Sequence, residues 1–410
     1  MNILFIHQNF PGQYRHLAAA LAMEPSHQVV AIGEKNSNQA KIDNVRYVWY
    51  EKPRGASAST HHYIRGLEAH IRRGQAIIPA LEMLKKNRFL PDVICVHPGW
   101  GEGLFLKEFY PDVPVIGYFE FYYHGRGVDV GFDPEFPSTI NDMARVRVKN
   151  ATNLLSLEAC DYGISPTHWQ KSQFPEAFQD KIAVIHEGID TDTVRGNPEI
   201  RINFENKGMT LSRESEVITF VNRNLEPYRG FHVFMRSLPK ILASRPNAHV
   251  LILGGDEVSY GKRPSEGMTY RQTYLSEVDI DLSRVHFLGR IPYEHFLAVL
   301  QVSSVHVYLT YPFVLSWSML EAMSCGCRLV ASATPPVMEV IRDGVNGLLV
   351  DFFSPEEIAA KVIDVLTNPG RFEDMRQNAR RTIVEKYDSK RVCLPAQVEY
   401  IKKVSSEQGA

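Results

Sequence analysis

The sequence predicts an α/β protein built as two consecutive doubly wound halves, and three observations carry that prediction. Short β-branched runs alternate with longer stretches of helical period, as in parallel βαβ units whose sheets are covered on both faces. The alternation begins at the N-terminus and starts again after Asp190. The 410 residues are too many for one ordinary core and suit two or three domains.

In the first half the strand candidates are Ile3–His7, Gln28–Ile32, Val93–His97, Val113–Glu120, Tyr162–Ser165 and Ile182–His186. Helix candidates lie between them at Tyr14–Ala22, about Tyr63–Lys86, Gly103–Phe109 and Thr139–Leu157. The expected first domain is thus 1–190. Residues 191–215 carry Gly196-Asn197-Pro198 and Gly208 with little apolar periodicity, and read as an interdomain connection. The second domain, 216–388, has strand candidates at Val217–Val221, His249–Leu253, Val285–Leu288, Val305–Leu309, Arg328–Ala331 and Leu348–Val350. Its helix candidates are Phe231–Ala243, Tyr293–Val302, Ser318–Cys325, Pro355–Leu366 and Arg371–Tyr387. A last helical pattern, about 389–405, is expected to pack back onto the first domain. Two such sheets facing across a cleft would bind ligand along the carboxyl ends of their strands.

Composition narrows the function classes. Charge is balanced, 45 Lys and Arg against 47 Asp and Glu, which gives no footing for nucleic acid as a partner. A hydrophobic share of 44% with 22% charged residues excludes wholesale disorder. No apolar run approaches the roughly 18 residues that span a bilayer, and the chain opens directly into Ile3-Leu4-Phe5-Ile6, so a cytoplasmic protein without a secretory signal is expected. Cys95, Cys160, Cys325, Cys327 and Cys393 show no zinc-ligand spacing beyond one C-x-C, and read as thiols of a reducing compartment.

Four segments look chemical. The loop His7-Gln8-Asn9-Phe10-Pro11-Gly12-Gln13 follows the first strand, where a glycine lets backbone N–H groups approach an anion, or merely reverses the chain. It lacks G-x-G-x-x-G, so a nicotinamide dinucleotide is not indicated. In Arg223-Asn224-Leu225-Glu226-Pro227-Tyr228-Arg229-Gly230 two arginines bracket a proline turn and can converge on one phosphate. Alternatively Arg223 pairs with Glu226 or with a carboxylate across the cleft. In Pro312-Phe313-Val314-Leu315-Ser316-Trp317-Ser318-Met319-Leu320-Glu321 a strand ends in a turn and a helix carries Glu321, placed either to hold a ribose diol or to close a capping box with Ser318.

The fourth comprises His97-Pro98-Gly99-Trp100 and Glu120-Phe121-Tyr122-Tyr123-His124-Gly125-Arg126, each after a strand of the first half. Rings beside a carboxylate and a histidine suit carbohydrate, since sugar C–H faces pack on rings while hydroxyls take polar partners. His97 and His124 read as either structural or directly involved. Asp129, Asp133 and Glu135 follow without metal-like spacing, which favours acceptor contact or loop anchoring. The basic amphipathic stretch from Tyr63 to Arg88 is read as a solvated helix over a sheet or as a face for an anionic membrane.

With these residues in view, the sequence resembles the retaining glycosyltransferases of family 4, which have the GT-B fold of two Rossmann-like domains. The resemblance is strongest from about Val217 to Val350, through Gly289-Arg290, Glu321-Ala322-Met323 with Gly326, and Met338 to Gly347. It is looser in the first half, through Pro11-Gly12 and His186-Glu187-Gly188-Ile189-Asp190. It implies transfer of a sugar from a nucleotide-sugar donor to a hydroxyl, with retention and without a cofactor or required metal. The acceptor implied is a glycan or lipid-linked sugar of cell-surface polysaccharide assembly, which would allow peripheral contact with the inner membrane face.

The resemblance assigns the diphosphate to Arg223 and Arg229, the base to Arg290 and Ile291, the ribose to Glu321, and sugar or phosphate contacts to Gly12 and to Val314, Leu315 and Ser316. Glu120 and His124 are the catalytic candidates of the first half, with His97, Trp100, Tyr122, Tyr123 and Arg126 on the acceptor side. One departure stands out: where the E-x7-E motif has its first glutamate, this sequence has Phe313. The rival expectations are a GT-B epimerase or hydrolase, and a catalytically inactive sugar-nucleotide-binding homologue.

Overall fold

The computed structural model describes residues 1–35, 41–205, 208–264 and 267–407. The chain forms two compact units, Met1–Gly188 with Ser389–Ala410, and Ile189–Asp388. Each is a Rossmann-like doubly wound α/β unit around its own parallel sheet.

The first sheet has seven strands, β1 Asn2–Ile6, β2 Gln28–Glu34, β3 Val45–Tyr50, β4 Val93–Val96, β5 Val115–Tyr118, β6 Tyr162–Ser165 and β7 Ile182–Val184. They lie in the order β3-β2-β1-β4-β5-β6-β7, all parallel. Ile3, Leu4, Phe5 and Ile6 are all fully buried, because helices cover both faces of the sheet. The second unit opens with a two-stranded antiparallel ribbon, β8 Arg201–Phe204 and β9 Met209–Ser212. Its sheet then runs through β10 Val217–Asn224, β11 His249–Gly255, β12 Val285–Gly289, β13 Val305–Tyr308, β14 Leu329–Ser332 and β15 Leu348–Val350. The order is β12-β11-β10-β13-β14-β15, again parallel. In both sheets the order reverses beside the first strand, between β1 and β4 and between β10 and β13. Ligands of open α/β sheets bind at such a point, outside the carboxyl ends of the strands.

Several boundaries differ from the sequence expectation for identifiable reasons. The helix expected over Tyr63–Lys86 is two, Arg65–Ala76 and Ile78–Lys86, divided at Ile77 by Pro79, which cannot donate into the preceding turn. On its basic face Arg72 pairs with Glu68 at 2.5 Å and Arg73 with Glu34 at 3.1 Å, so part of the charge is satisfied within the unit. The helix expected over Thr139–Leu157 also divides, into Ile140–Lys149 and Ala151–Ala159. Asn150 sits at the break, its side chain accepting from the Tyr123 N–H at 3.0 Å and donating to the Tyr123 carbonyl at 2.7 Å. Residues 191–215 lie in the second unit and include β8 and β9.

The last helix, Leu394–Ser406, belongs to the first unit. Ile401 and Val404 are buried in one cluster with Ile3, Phe5 and Leu17, and Gln397 and Tyr400 donate to the carbonyls of His186 and Gly163, both at 3.2 Å. Among the described residues no helix is long and apolar enough to cross a membrane.

Candidate functional site

In the second unit the segment after β10 turns through a 3₁₀ turn, Pro227–Arg229, into the helix Phe231–Ser244. Gly230 makes that turn possible: its φ is +68°, and a Cβ there would fall 2.3 Å from the Cβ of Leu309. The turn delivers Arg229 to the switch point, where the side chain is 7% exposed. Its Nη1 donates to Thr310 Oγ1 at 2.7 Å and to the Val314 carbonyl at 3.0 Å. Two rings flank the guanidinium, Tyr260 at 5.5 Å and Phe313 at 5.7 Å. Nε and Nη2 have no acceptor among the described residues, so a fixed, permanently charged fork keeps donors to spare.

Arg223 is exposed near the end of β10 and makes no hydrogen bond or ion pair among the described residues. It does not pair with Glu226, one alternative left open by the sequence. The Glu226 carboxylate instead accepts the backbone N–H groups of Ser259, Tyr260 and Gly261 at 3.0–3.2 Å, which fixes the segment that carries Tyr260. Phe313 is 4% exposed and lies 4.8 Å from the Tyr260 ring and 5.7 Å from that of Tyr228. The position therefore belongs to an aromatic cluster rather than to a polar lining.

The turn Val314, Leu315, Ser316 leads into the helix Trp317–Ser324, with Ser316 as its N-cap. The Ser316 N–H donates to the Tyr308 hydroxyl at 2.9 Å, and the Ser316 hydroxyl caps the Ser318 N–H. Glu321 follows one turn later, nearly buried, and takes a hydrogen bond from Tyr293 Oη at 2.6 Å. Burial raises its pKa and the Tyr293 bond opposes the rise. No capping-box bond from Glu321 to the helix start is present among the described residues. Arg290 is exposed, donating to Glu257 at 2.6 Å and Asn224 at 2.9 Å, and Ile291 packs against the core of the unit.

In the first unit the corresponding position holds histidines. His7 follows β1 and is 2% exposed. Its Nδ1 accepts the Asn9 N–H at 2.9 Å, so Nε2 carries the hydrogen and donates to Gln13 Oε1 at 2.7 Å. Burial, aided by His97, drives its pKa down to about 3, and the ring is neutral. Gly12, φ +46°, passes so close over this ring that a Cβ would lie 2.4 Å from it, which gives the glycine a packing reason. Gln13 in turn donates to Glu120 Oε1 at 3.1 Å.

His97 follows β4, is 3% exposed and stacks on Trp100 at 4.2 Å. Its Nδ1 accepts the Gly99 N–H at 3.3 Å, leaving Nε2 as a buried donor without a hydrogen-bond partner. Glu120 Oε2 is 3.8 Å from that atom. Burial works to raise the Glu120 pKa, but His97 and Gln13 outweigh it and hold the carboxyl below its ordinary value. A hydroxyl oxygen set between the two would accept from His97 and donate to Glu120.

His97, Gly99, Trp100 and Glu120 line one cavity with Tyr118, Tyr123, Lys149, Thr152 and His70. His97, Trp100, Glu120 and Tyr123 are thus brought together. Tyr122 and Arg126 are not part of the lining: Tyr122 packs 5.7 Å from Phe174, and Arg126 is exposed with Nε 3.2 Å from the Met143 sulfur. His124 is off it as well, its Nε2 bonded to the Gln173 carbonyl at 3.1 Å. The sequence reading passed over His7 and Gln13, although both stand in the loop it singled out for Gly12, and it passed over Tyr260, Tyr293 and Lys149 entirely. Among the described residues no group of three or more His, Cys, Asp or Glu is placed to hold a metal ion.

Residues 25–194 match the profile of the Glycosyl transferase family 4 group, and residues 203–382 that of the Glycosyl transferases group 1. An uncharacterized glycosyltransferase of Methanocaldococcus jannaschii is 27% identical over 58% of this chain and 57% of its own length. A D-inositol 3-phosphate glycosyltransferase of Mycolicibacterium vanbaalenii is 28% identical over 45% of this chain and 40% of its own. The chain thus spans about half the length of the curated relatives it matches. Spore coat protein SA of Bacillus subtilis is 24% identical over 92% of this chain and 90% of its own. In fold the chain is similar to the sucrose-phosphate synthase of Thermosynechococcus elongatus, with TM-score 0.72, 15% identity, and 99% and 100% of the two chains covered. It is also similar to Anabaena HepE in complex with UDP-glucose, with TM-score 0.63, 14% identity, and 100% and 99% covered. The first half of the chain thus matches the family 4 group model and the second half the group 1 model, on a fold of GT-B type.

Proposed function

We propose that the chain is a retaining, metal-independent glycosyltransferase that moves a sugar from a nucleoside-diphosphate sugar to a hydroxyl of a glycan or lipid-linked acceptor. Cell-surface polysaccharide assembly, at or near the inner membrane face, is the setting this reading favours. The observation that carries it is Arg229, a nearly buried arginine anchored through one nitrogen at the switch point of the second sheet, with its remaining donors unspent. The complexes of Anabaena HepE with UDP and with UDP-glucose support a donor of that kind.

In this reading Arg229 and the exposed Arg223 take the negative charge that grows on the departing diphosphate, which makes a divalent cation unnecessary. Glu321 holds the ribose diol with the oxygen not used by Tyr293, and the base lies along Arg290 and Ile291. The turn Val314, Leu315, Ser316 borders the donor sugar and its phosphates. The first unit supplies the acceptor side, with a hydroxyl held between Glu120 and His97. His124 acts at most by ordering the loop that follows Glu120, through its bond to Gln173. Charge-assisted contacts of this type are worth roughly 3–4 kcal/mol each in a transition state.

The test is product analysis with a panel of nucleoside-diphosphate sugars and hydroxyl acceptors, for the parent chain and for Arg229→Ala. A glycosidic product from the parent and none from the variant is the expected result. Free sugar despite acceptor, or intact isomerised donor, would replace the proposal with a hydrolase or an epimerase. Binding of UDP without any turnover would mark an inactive homologue.

A further inference from the structure

We propose that the cavity at the carboxyl edge of the first sheet takes a sugar that bears an anionic group, a phosphate or a carboxylate, with Lys149 as the residue that binds the anion. The inference rests on the acceptor role given above to this unit, and it names the class of acceptor.

Lys149 ends the helix Ile140–Lys149 and lines the cavity. Its ammonium stands 3.5 Å from the centroid of the Tyr123 ring and makes no ion pair or hydrogen bond among the described residues. A ring face holds a cation in place without consuming its N–H donors. The carboxyl that acts on it electrostatically, Asp129, is buried and accepts the His124 N–H at 3.4 Å, and it forms no salt bridge with the lysine. The second observation is independent. His97, on the wall of the same cavity, is 3% exposed, and among the described residues its Nε2–H has no hydrogen-bond partner, the Glu120 carboxylate standing off at 3.8 Å. Burial of an unsatisfied donor is costly unless a ligand completes it.

The remaining wall groups set the orientation. Glu120 is ionised and repels an anion from its side of the cavity, so the anion belongs beside Lys149 and a hydroxyl belongs between Glu120 and His97. His70, whose Nδ1 meets Thr152 Oγ1 at 2.8 Å, is kept neutral by burial and adds no second cation. The rings of Trp100 and Tyr123 supply apolar faces for sugar C–H groups. A neutral sugar would leave the lysine idle, and inorganic phosphate would leave the rings and the His97 donor idle.

The experiment is calorimetric titration and thermal melting of the full chain with glucose 6-phosphate, glucuronate, glucose and inorganic phosphate, repeated on Lys149→Gln and Lys149→Arg. The expected result is that at least one anionic sugar binds about tenfold or more tightly than glucose, the size of one charge-assisted hydrogen bond. Lys149→Gln should abolish that preference and Lys149→Arg should keep most of it. The stronger of the two anionic sugars then identifies phosphate or carboxylate as the group. Equal binding of glucose, an unchanged preference in Lys149→Gln, or inorganic phosphate binding as tightly as the sugars would each overturn the proposal. The UDP-induced rise in melting temperature serves as the separate readout. It should be the same in Lys149→Gln as in the parent, and its absence from the parent would overturn the donor reading of the second unit without touching the titrations of the first.

Discussion

The two units share strand order at their centres and differ in what they place there. Where the first unit sets His7, neutral and tied to Gln13, the second sets Arg229, which is always charged. Beyond the fourth strand the first has His97 stacked on Trp100 beside a carboxylate, and the second has a helix N-terminus capped by Ser316. One arrangement attracts an anion, while the other sets a donor and an acceptor 3.8 Å apart. A fold therefore fixes where ligands go, and the residues on two short loops decide what each half can hold.

The comparison can be broken most directly at Arg229. Arg229→Ala should lower turnover by roughly 10²–10³ and remove the stabilisation of the protein by UDP, because among the described residues no other buried cation stands at that switch point. A retained UDP shift would mean that the second unit does not hold the diphosphate there. Next in size, Glu120→Gln should reduce turnover by roughly 10–100-fold while leaving the UDP shift intact, as befits a group confined to the hydroxyl side. Loss of UDP binding in that variant would erase the division of labour.

A third test concerns stability and pH. Glu102 is fully buried, takes a hydrogen bond from Tyr50 at 2.7 Å, and burial pushes its pKa up to about 7. Between about pH 4.5 and 7 the folded state then binds a proton that the unfolded chain has released, so this group's contribution to stability falls as pH rises through that window. Glu102→Gln should flatten the fall, gaining roughly 2–3 kcal/mol relative to the parent at pH 8 and little at pH 4.5, as read by denaturant titration. The smallest effect is expected at Asn150→Ala. Its clasp on Tyr123 is worth about 1–2 kcal/mol, and the variant should unfold at lower denaturant with the second unit's UDP binding unchanged.

How much of this was legible beforehand varies by residue. Continuous apolar runs made most central strands readable, and Tyr162–Ser165 and Leu348–Val350 match to the residue. β3 was missed at the sheet edge, where the exposed Arg46 interrupts the apolar pattern at its start and only Val48 and Tyr50 are buried. The helix Tyr270–Glu277 was missed because it buries only Tyr270 and Tyr274 in an otherwise polar sequence. At the candidate site Arg229 and Glu321 stood out by their place after a strand or within a helix start. Tyr293, which meets Glu321 from 28 residues away, did not, and neither did Lys149, whose ring partner lies on a different loop. Local spacing carries what a single turn does. It is silent on partners that only the tertiary fold introduces.

The second unit is a loop sewn into the first. At the seam, Gly188, with φ +85°, runs so near Ser389 that a Cβ would lie 2.5 Å from its Cα. One residue further on, the Ile189 N–H reaches the Tyr387 carbonyl at 2.7 Å, and Thr191 bonds to Asp388. Both ends of the inserted segment therefore leave the first unit side by side, already fastened to each other. Genetically this makes Ile189–Asp388 a cassette: it can be excised with its termini adjacent, and the gap it leaves can be closed by a short linker between Gly188 and Ser389.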